Sequence, residues 1–266
     1  MTDQLVVVGG GNMGAAIIGG LLSAQWIAGE NLVVVEKSSS RRTFLSEQFP
    51  AVRVVERIED ASPRDVLVAV KPQDAEGVCL ALGEAGARRI LSVIAGIRIR
   101  HLEEWLGKEV VVVRAMPNTP ALVRSGVTAI SPGRFATDTD LSWAEDMLVA
   151  VGKVVRVREE LLDAVTGLSG SGPAYVFLVV EALIEAGVLV GLPREVSTVL
   201  VEETLLGSAR LLIESASTPE ELRHSVTSPA GTTAAGLRTL EAHSVRSALI
   251  EAVVTATERS RQLGSS

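Results

Sequence analysis

Gly9, Gly11 and Gly14 stand at G-x-G-x-x-G spacing, directly after the apolar run Leu5-Val6-Val7-Val8 and before Ala15-Ala16-Ile17-Ile18, which has helical character. A strand that turns through glycine into a helix offers an anion free N–H groups and the positive end of a helix dipole. In a dinucleotide site the first glycine permits the turn, the second lets a pyrophosphate approach the backbone, and the third lets helix and strand pack closely. Asn12 and Met13 complete that turn. The competing reading is a plain βα turn, and the placement on a strand–helix junction favours the dinucleotide.

A second stretch that could carry chemistry is Thr227-Ser228-Pro229-Ala230-Gly231-Thr232-Thr233, small, rich in hydroxyls and just ahead of a helical segment. Consecutive N–H groups at such a helix start suit a carboxylate. A hydroxyl of Ser228, Thr232 or Thr233 could then bond the reacting group. The alternative is an ordinary N-cap, and the residues alone leave both readings open. Lysine is absent after Lys153, and Tyr175 is followed four positions on by Val179, so a Tyr-x-x-x-Lys pair is impossible. Gly167-Leu168-Ser169-Gly170-Ser171-Gly172 resembles the G-x-x-G-x-G run of β-hydroxyacid dehydrogenases, but Val176 stands where those enzymes carry a catalytic lysine. His224 lies close enough to Ser228 to be a minor candidate acid, and His243 reads as a surface residue that begins a helix. A protonated imine accepts hydride at carbon with little acid–base help, so this inventory suits an imine better than a ketone. No cluster of His, Cys and carboxylates has metal spacing, and no metal is expected.

The elements that must position these groups are a sheet and its helices. After a helix to about Ala24, Leu32–Val35 reads as a second strand that Glu36 closes, about twenty residues beyond the glycines. There a dinucleotide fold places an acid for the adenosine ribose hydroxyls. Lys37-Ser38-Ser39-Ser40-Arg41-Arg42 follows at once and could instead hold a 2′-phosphate, with Ser38 among its donors, or simply cap and solvate the next helix. NADH and NADPH therefore both stay open. Further strands are expected at Val52–Val55, Asp65–Val70, Arg89–Val93, Val110–Val113, Gly126–Ser131 and Lys153–Val157, with a helix from about Thr137 to Val149. Short β-rich runs alternating with helices argue for a doubly wound sheet, whose ligands lie beyond the carboxyl ends of the strands. Lys71, Arg114 and Asn118 fall there and are candidates to meet ribose, phosphate or nicotinamide. From Leu161 onward long helices take over, about Gly172–Gly187, Arg194–Ser215, Thr233–Glu241 and Val245–Leu263, with a capped start at Glu220-Glu221. Pro173–Val180 and Val196–Leu206 are apolar around most of their circumference, which calls for burial against another subunit. The expected division is 1–160, a dinucleotide-binding α/β domain, and 161–266, an all-α substrate-binding and dimerisation domain.

The bulk numbers agree with that plan. The chain has 266 residues, enough for two modest domains. A net charge of −7 without a basic stripe argues against nucleic acid. Cys79, the single cysteine, rules out an internal disulfide framework and fits a reducing cytoplasm. The first strand begins within five residues, so no signal peptide is expected, and no apolar run is expected to approach the length of a membrane span free of charge.

Five segments together resemble pyrroline-5-carboxylate reductase: Gly9–Gly14, Ala69-Val70-Lys71-Pro72, Arg114-Ala115-Met116-Pro117-Asn118-Thr119-Pro120, Gly167–Tyr175 and Ser228–Thr233. They come in that family's order and span essentially the whole chain. The resemblance implies a Rossmann domain followed by a helical dimerisation domain. It implies hydride transfer from NADPH or NADH to 1-pyrroline-5-carboxylate, giving L-proline in the last step of proline biosynthesis, by a homodimer that often builds into a decamer. It further implies that Gly9–Gly14, Ala69, Val70, Lys71, Pro72, Ala95 and Gly96 hold the cofactor. Ser228, Gly231 and Thr232 would bind the substrate carboxylate, and Thr233 would bond the ring nitrogen. A related imine reductase, a β-hydroxyacid-type dehydrogenase or a non-catalytic dinucleotide sensor are the alternatives. Two positions depart from the family: Glu36 replaces a small or hydroxyl residue, and Ala230-Gly231 replaces Gly-Gly. The second change is tolerable unless residue 230 takes a positive φ.

Overall fold

β1 (Leu5–Val8) and β2 (Leu32–Val35) both read Leu-Val-Val-Val, and every one of these residues is buried in the computed structural model, which describes residues 4–107 and 109–264. β-branched side chains at consecutive positions suit a parallel strand covered on both faces. Between these strands runs α1 (Asn12–Ser23). Then follow α2 (Ser39–Gln48), β3 (Arg53–Val55), β4 (Asp65–Val68), α3 (Ala75–Glu84), β5 (Arg89–Ser92), α4 (Ile99–Leu106), β6 (Val111–Met116), β7 (Gly126–Pro132), α5 (Asp138–Val149) and β8 (Gly152–Arg156).

The eight strands form one sheet in the order β3-β2-β1-β4-β5-β6-β7-β8. Neighbours are parallel except β6 and β7, which pair antiparallel with Met116 opposite Ala129. Alternation along β1 divides the core in two. Leu5 and Val7 pack with Ile17, Ile18 and Leu21 of α1 and Met147 of α5 on one face. Val6 and Val8 pack with Leu82 of α3 and Leu102 of α4 on the other. Cys79 joins that second layer, and burial pushes its thiol up to about 12, which makes it inert as a nucleophile. The chain crosses from β3 to β4 over β2 and β1, so strand order reverses beside β1. That reversal opens a crevice at the carboxyl ends of β1 and β4.

The strands stand where the sequence expects them, with shifted ends. β4 stops at Val68, leaving Ala69 and Val70 in the turn, and β6 runs past Val113 to Met116 because β7 supplies an antiparallel partner there.

The helical part comprises α6 (Leu162–Val165), a π-helical turn at Thr166–Gly170, α7 (Gly172–Leu189), α8 (Arg194–Glu214), α9 (Pro219–Ser225), α10 (Thr232–Ala242) and α11 (Val245–Leu263). Contacts divide the chain into two compact units: residues through Ser171 with those from Thr255 onward, and Gly172–Val254. Within the second, Ser197 of α8 is buried and donates to the Ile184 carbonyl of α7 at 2.9 Å. Thr218 and Glu221 cap α9 reciprocally, with Pro219 in the first turn. His243 ends α10 rather than beginning a helix, with Nδ1 2.9 Å from the Thr239 carbonyl oxygen. The helical run Glu159–Leu189 is long and apolar enough to cross a membrane by length and composition, a stretch the sequence reading did not anticipate. Leu162 in that run is buried, whereas along α7 the apolar side chains are half-buried or open in the single chain, with Phe177 62% and Leu178 66% exposed.

Candidate active site

The crevice beside β1 is an open cleft of about 820 Å³, lined among others by Gly9, Gly11, Glu36, Ser38, Ala69 and Lys71. Gly9 takes φ +99° and donates its N–H to the Val35 carbonyl at 2.9 Å. A Cβ there would meet the Ala69 carbonyl oxygen at 2.6 Å, so the turn from β1 passes too close to the end of β4 for any side chain. Gly14 is buried against the same turn, and a Cβ on it would strike the Gly9 carbonyl. Gly11 differs: no atom lies within 4 Å of its missing Cβ, and no side chain caps α1. Among the described residues the helix start of α1 therefore has no side-chain acceptor and no side chain over Gly11, and this donor set fits a bound pyrophosphate.

Glu36 brackets this loop from the end of β2. Its Oε2 accepts from Gly10 N and its Oε1 from Ser38 N, each at 2.9 Å. Ser38 also caps α2 by accepting from Arg41 N at 3.4 Å. Arg41 and Arg42 are not solvated as a plain helix start would leave them: they donate to the carbonyls of Gly10, Glu36 and Lys37. Asn12 and Ala95 are exposed at the turns beyond β1 and β5, Gly96 has φ +77°, and Pro72 opens a short helical turn to Asp74. Met13 turns inward against the core. Val70 lines the cleft, as do Gln73, Asp74 and Val78, which sequence reasoning missed. The Pro72 turn was the signal for them, because it folds the chain back over the end of β4.

Two candidates are tied into the fold, Arg114 by its guanidinium and Asn118 by its amide oxygen alone. Arg114 is buried and donates to Glu159 Oε1 at 2.9 Å, and Asn118 Oδ1 accepts from Val127 N at 2.9 Å. Neither lines the cleft.

In the second unit the Ser228 loop leads into α10. Gly231 is the N-cap residue in extended geometry and no side chain caps the helix. A Cβ on Gly231 would run into Ser228 Oγ, so this glycine lets the Ser228 hydroxyl fold over the helix start. Ala230 has φ +60°, the conformation that makes alanine a strained substitute for glycine. Thr227 Oγ1 donates to the Arg223 carbonyl at 2.6 Å. Among the described residues the hydroxyls of Ser228, Thr232 and Thr233 form no hydrogen bond, and all three residues are exposed. His224 lies in the last turn of α9, also exposed. Among the described residues no three His, Cys or carboxylate groups gather as a metal site.

A doubly wound sheet with a glycine turn at its switch point, joined to a helical unit, defines a nicotinamide-dinucleotide oxidoreductase of two-domain build. Residues 159–263 match the family model for pyrroline-5-carboxylate reductase dimerisation, and residues 4–96 match that of NADP oxidoreductase, coenzyme F420-dependent. Pyrroline-5-carboxylate reductase of Synechocystis is 42% identical over 99% of both chains, and that of Arabidopsis thaliana 38% over 97% of this chain and 95% of its own. Among solved structures, the Coxiella burnetii enzyme superposes with TM-score 0.92 at 34% identity, covering 99% of each chain. The Plasmodium falciparum enzyme with NADP bound gives 0.88 at 32%, covering 98% of each. This chain belongs to the pyrroline-5-carboxylate reductase family.

Proposed function

We propose that the protein reduces the C=N bond of 1-pyrroline-5-carboxylate to give L-proline, the last step of proline biosynthesis. The bound nicotinamide, as NADPH or NADH, supplies the hydride. Gly9, Gly11, Asn12, Met13 and Gly14 cradle its pyrophosphate at the start of α1. Glu36 and Ser38 face its adenosine end, and Ala69–Pro72 with Ala95 and Gly96 hold the rest. The free N–H groups at the start of α10 take the substrate carboxylate, helped by Ser228, Gly231 and Thr232. Thr233 offers its hydroxyl to the ring nitrogen, orienting an imine that needs no strong acid. The division of labour follows 1–160 for cofactor and 161–266 for substrate and assembly.

The observation that carries this reading is the Ser228–Thr233 loop in a chain of this family: three unspent hydroxyls around an uncapped helix start. The exposed apolar faces of α7 and α8 support a homodimer through the dimerisation segment, and the assembly proposed for such dimers is a decamer. A second copy, not lipid, covers α7, where Glu181 and Glu185 interrupt the apolar surface, and the protein works in the cytoplasm. The test is loss of reduced-nicotinamide absorbance with pyrroline-5-carboxylate as acceptor, in separate runs with each cofactor. Cofactor binding without turnover of this or any other cyclic imine would replace the reductase with a dinucleotide sensor.

A further inference from the structure

We infer that Glu36 makes this chain prefer NADH over NADPH, by holding a fixed carboxylate where the 2′-phosphate of NADPH would have to lie. The inference rests on the dinucleotide reading of the cleft beside β1. Glu36 is no loose surface carboxylate. Gly10 N binds one oxygen and Ser38 N the other, both at 2.9 Å, so the group is pinned between the glycine turn and the start of α2. Each oxygen keeps lone-pair capacity for further donors, which two ribose hydroxyls supply and a phosphate dianion does not.

A 2′-phosphate also needs uncommitted cations, and around Glu36 the side chains of Lys37, Arg42 and Arg57 are paired with carboxylates, which among the described residues leaves Arg41 as the one without an acidic partner. Arg41 Nε donates to the Gly10 carbonyl at 2.6 Å, and its guanidinium carbon lies 4.4 Å from the centre of the Phe44 ring. Arg42 holds the carbonyls of Glu36 and Lys37 and pairs with Glu56 at 2.9 Å. Lys37 pairs with Asp74 at 2.7 Å and Arg57 with Asp60 at 3.5 Å. Lys71 follows β4, on the far side of β1 from Glu36. Within the cleft lining, Glu36, Glu56, Glu59 and Asp74 outnumber Lys37, Arg57 and Lys71. Like charge in a partly desolvated cleft opposes the extra phosphate, while the ribose diol of NADH meets acceptors already in place.

The test is isothermal titration of the full chain with NAD+ and, separately, with NADP+, no substrate present. NAD+ should bind about tenfold tighter or more. Glu36→Ser should close most of that gap, chiefly by tightening NADP+. Tighter or equal binding of NADP+ by the unaltered chain overturns the inference and leaves the dinucleotide site standing. Binding of neither overturns the site and the inference together. Competition of AMP against adenosine 2′,5′-bisphosphate for bound NADH repeats the comparison without any substitution. Better displacement by AMP supports the inference, and better displacement by the bisphosphate overturns it.

Discussion

Glu159 Oε1 accepts from Arg114 Nη1 at 2.9 Å and from the backbone N–H of Ile99 at 2.7 Å. One carboxylate oxygen thus ties the start of α4 to a guanidinium that is only 5% exposed on β6. Removing the carboxylate would leave both a buried cation and a helix-start donor unpaired. Glu159→Ala should therefore cost about 3–5 kcal/mol of stability. Urea unfolding read by circular dichroism checks this, and a loss below about 1 kcal/mol, the size of an exposed pair, would show that solvent reaches Arg114.

Ala230 carries a strain that the chain does not need. Its φ of +60° costs an alanine roughly 1–2 kcal/mol relative to unstrained backbone, and glycine pays nothing of the kind. Glycine's greater freedom in the unfolded chain takes back about 0.4–1 kcal/mol. Ala230→Gly should then raise stability by up to about 1.6 kcal/mol, with turnover retained. A thermal melt of the variant decides it: a lower midpoint would mean that the alanine methyl makes contacts worth more than the strain.

Arg89 and Asp140 anchor α5 to the sheet. Arg89 forks onto Asp65 at 3.0 and 2.7 Å, reaches Asp140 at 3.4 Å and lies 4.1 Å from the centre of the Trp143 ring. Burial pulls the Asp140 pKa up, but hydrogen bonds from Thr137 and the charge of Arg89 outweigh it and hold the carboxyl below its ordinary value of 3.8. The folded state therefore binds this proton less readily than the unfolded chain. The stabilisation is whole above the unfolded value and is lost as pH falls through the lower, folded one. Asp140→Asn should cost about 1–2 kcal/mol at neutral pH and progressively less as the pH drops below that ordinary value of 3.8. Unfolding curves at neutral and acid pH supply the comparison, and a cost that does not change with pH would remove the charge from the account.

How much of this was legible in the sequence depends on the range of the forces involved. The β1 turn could be read because its causes are local: four apolar β formers, then glycines where a Cβ at Gly9 would meet Ala69. The Ser228 loop could be read from its hydroxyls and its place before a helix. Arg114 could not, since its partner Glu159 is far along the chain, and a basic residue at a strand end looks the same whether it faces a ligand or a core. Arg41 and Arg42 were ambiguous for the same reason, because backbone carbonyls are acceptors that no sequence pattern reveals. The π-helical turn at Thr166–Gly170 was hidden by composition. Glycine and serine suggest a loop, yet the segment is helical, and Thr166 and Ser169 satisfy their hydroxyls by donating back to the carbonyls of Leu162 and Val165 one turn earlier.

Thr233 is the residue on which the proposed chemistry leans most. It is the second residue of α10, its hydroxyl bonds to nothing among the described residues, and the helix start beside it has no side-chain cap. A hydroxyl that only capped the helix would serve stability. One left unspent is free to meet a ring nitrogen, and its removal should be felt in the reaction instead. Thr233→Ala should lower kcat by the equivalent of roughly 1–3 kcal/mol, leave the melting temperature close to that of the parent, and leave cofactor affinity unchanged, because the cleft residues belong to the other unit. Thr233→Ser, which keeps the hydroxyl, should recover most of the loss. Steady-state kinetics of the two variants beside their melting curves separate the roles. A fall in kcat that serine fails to restore points to the methyl group and packing, and an unchanged kcat in the alanine variant removes Thr233 from the reaction.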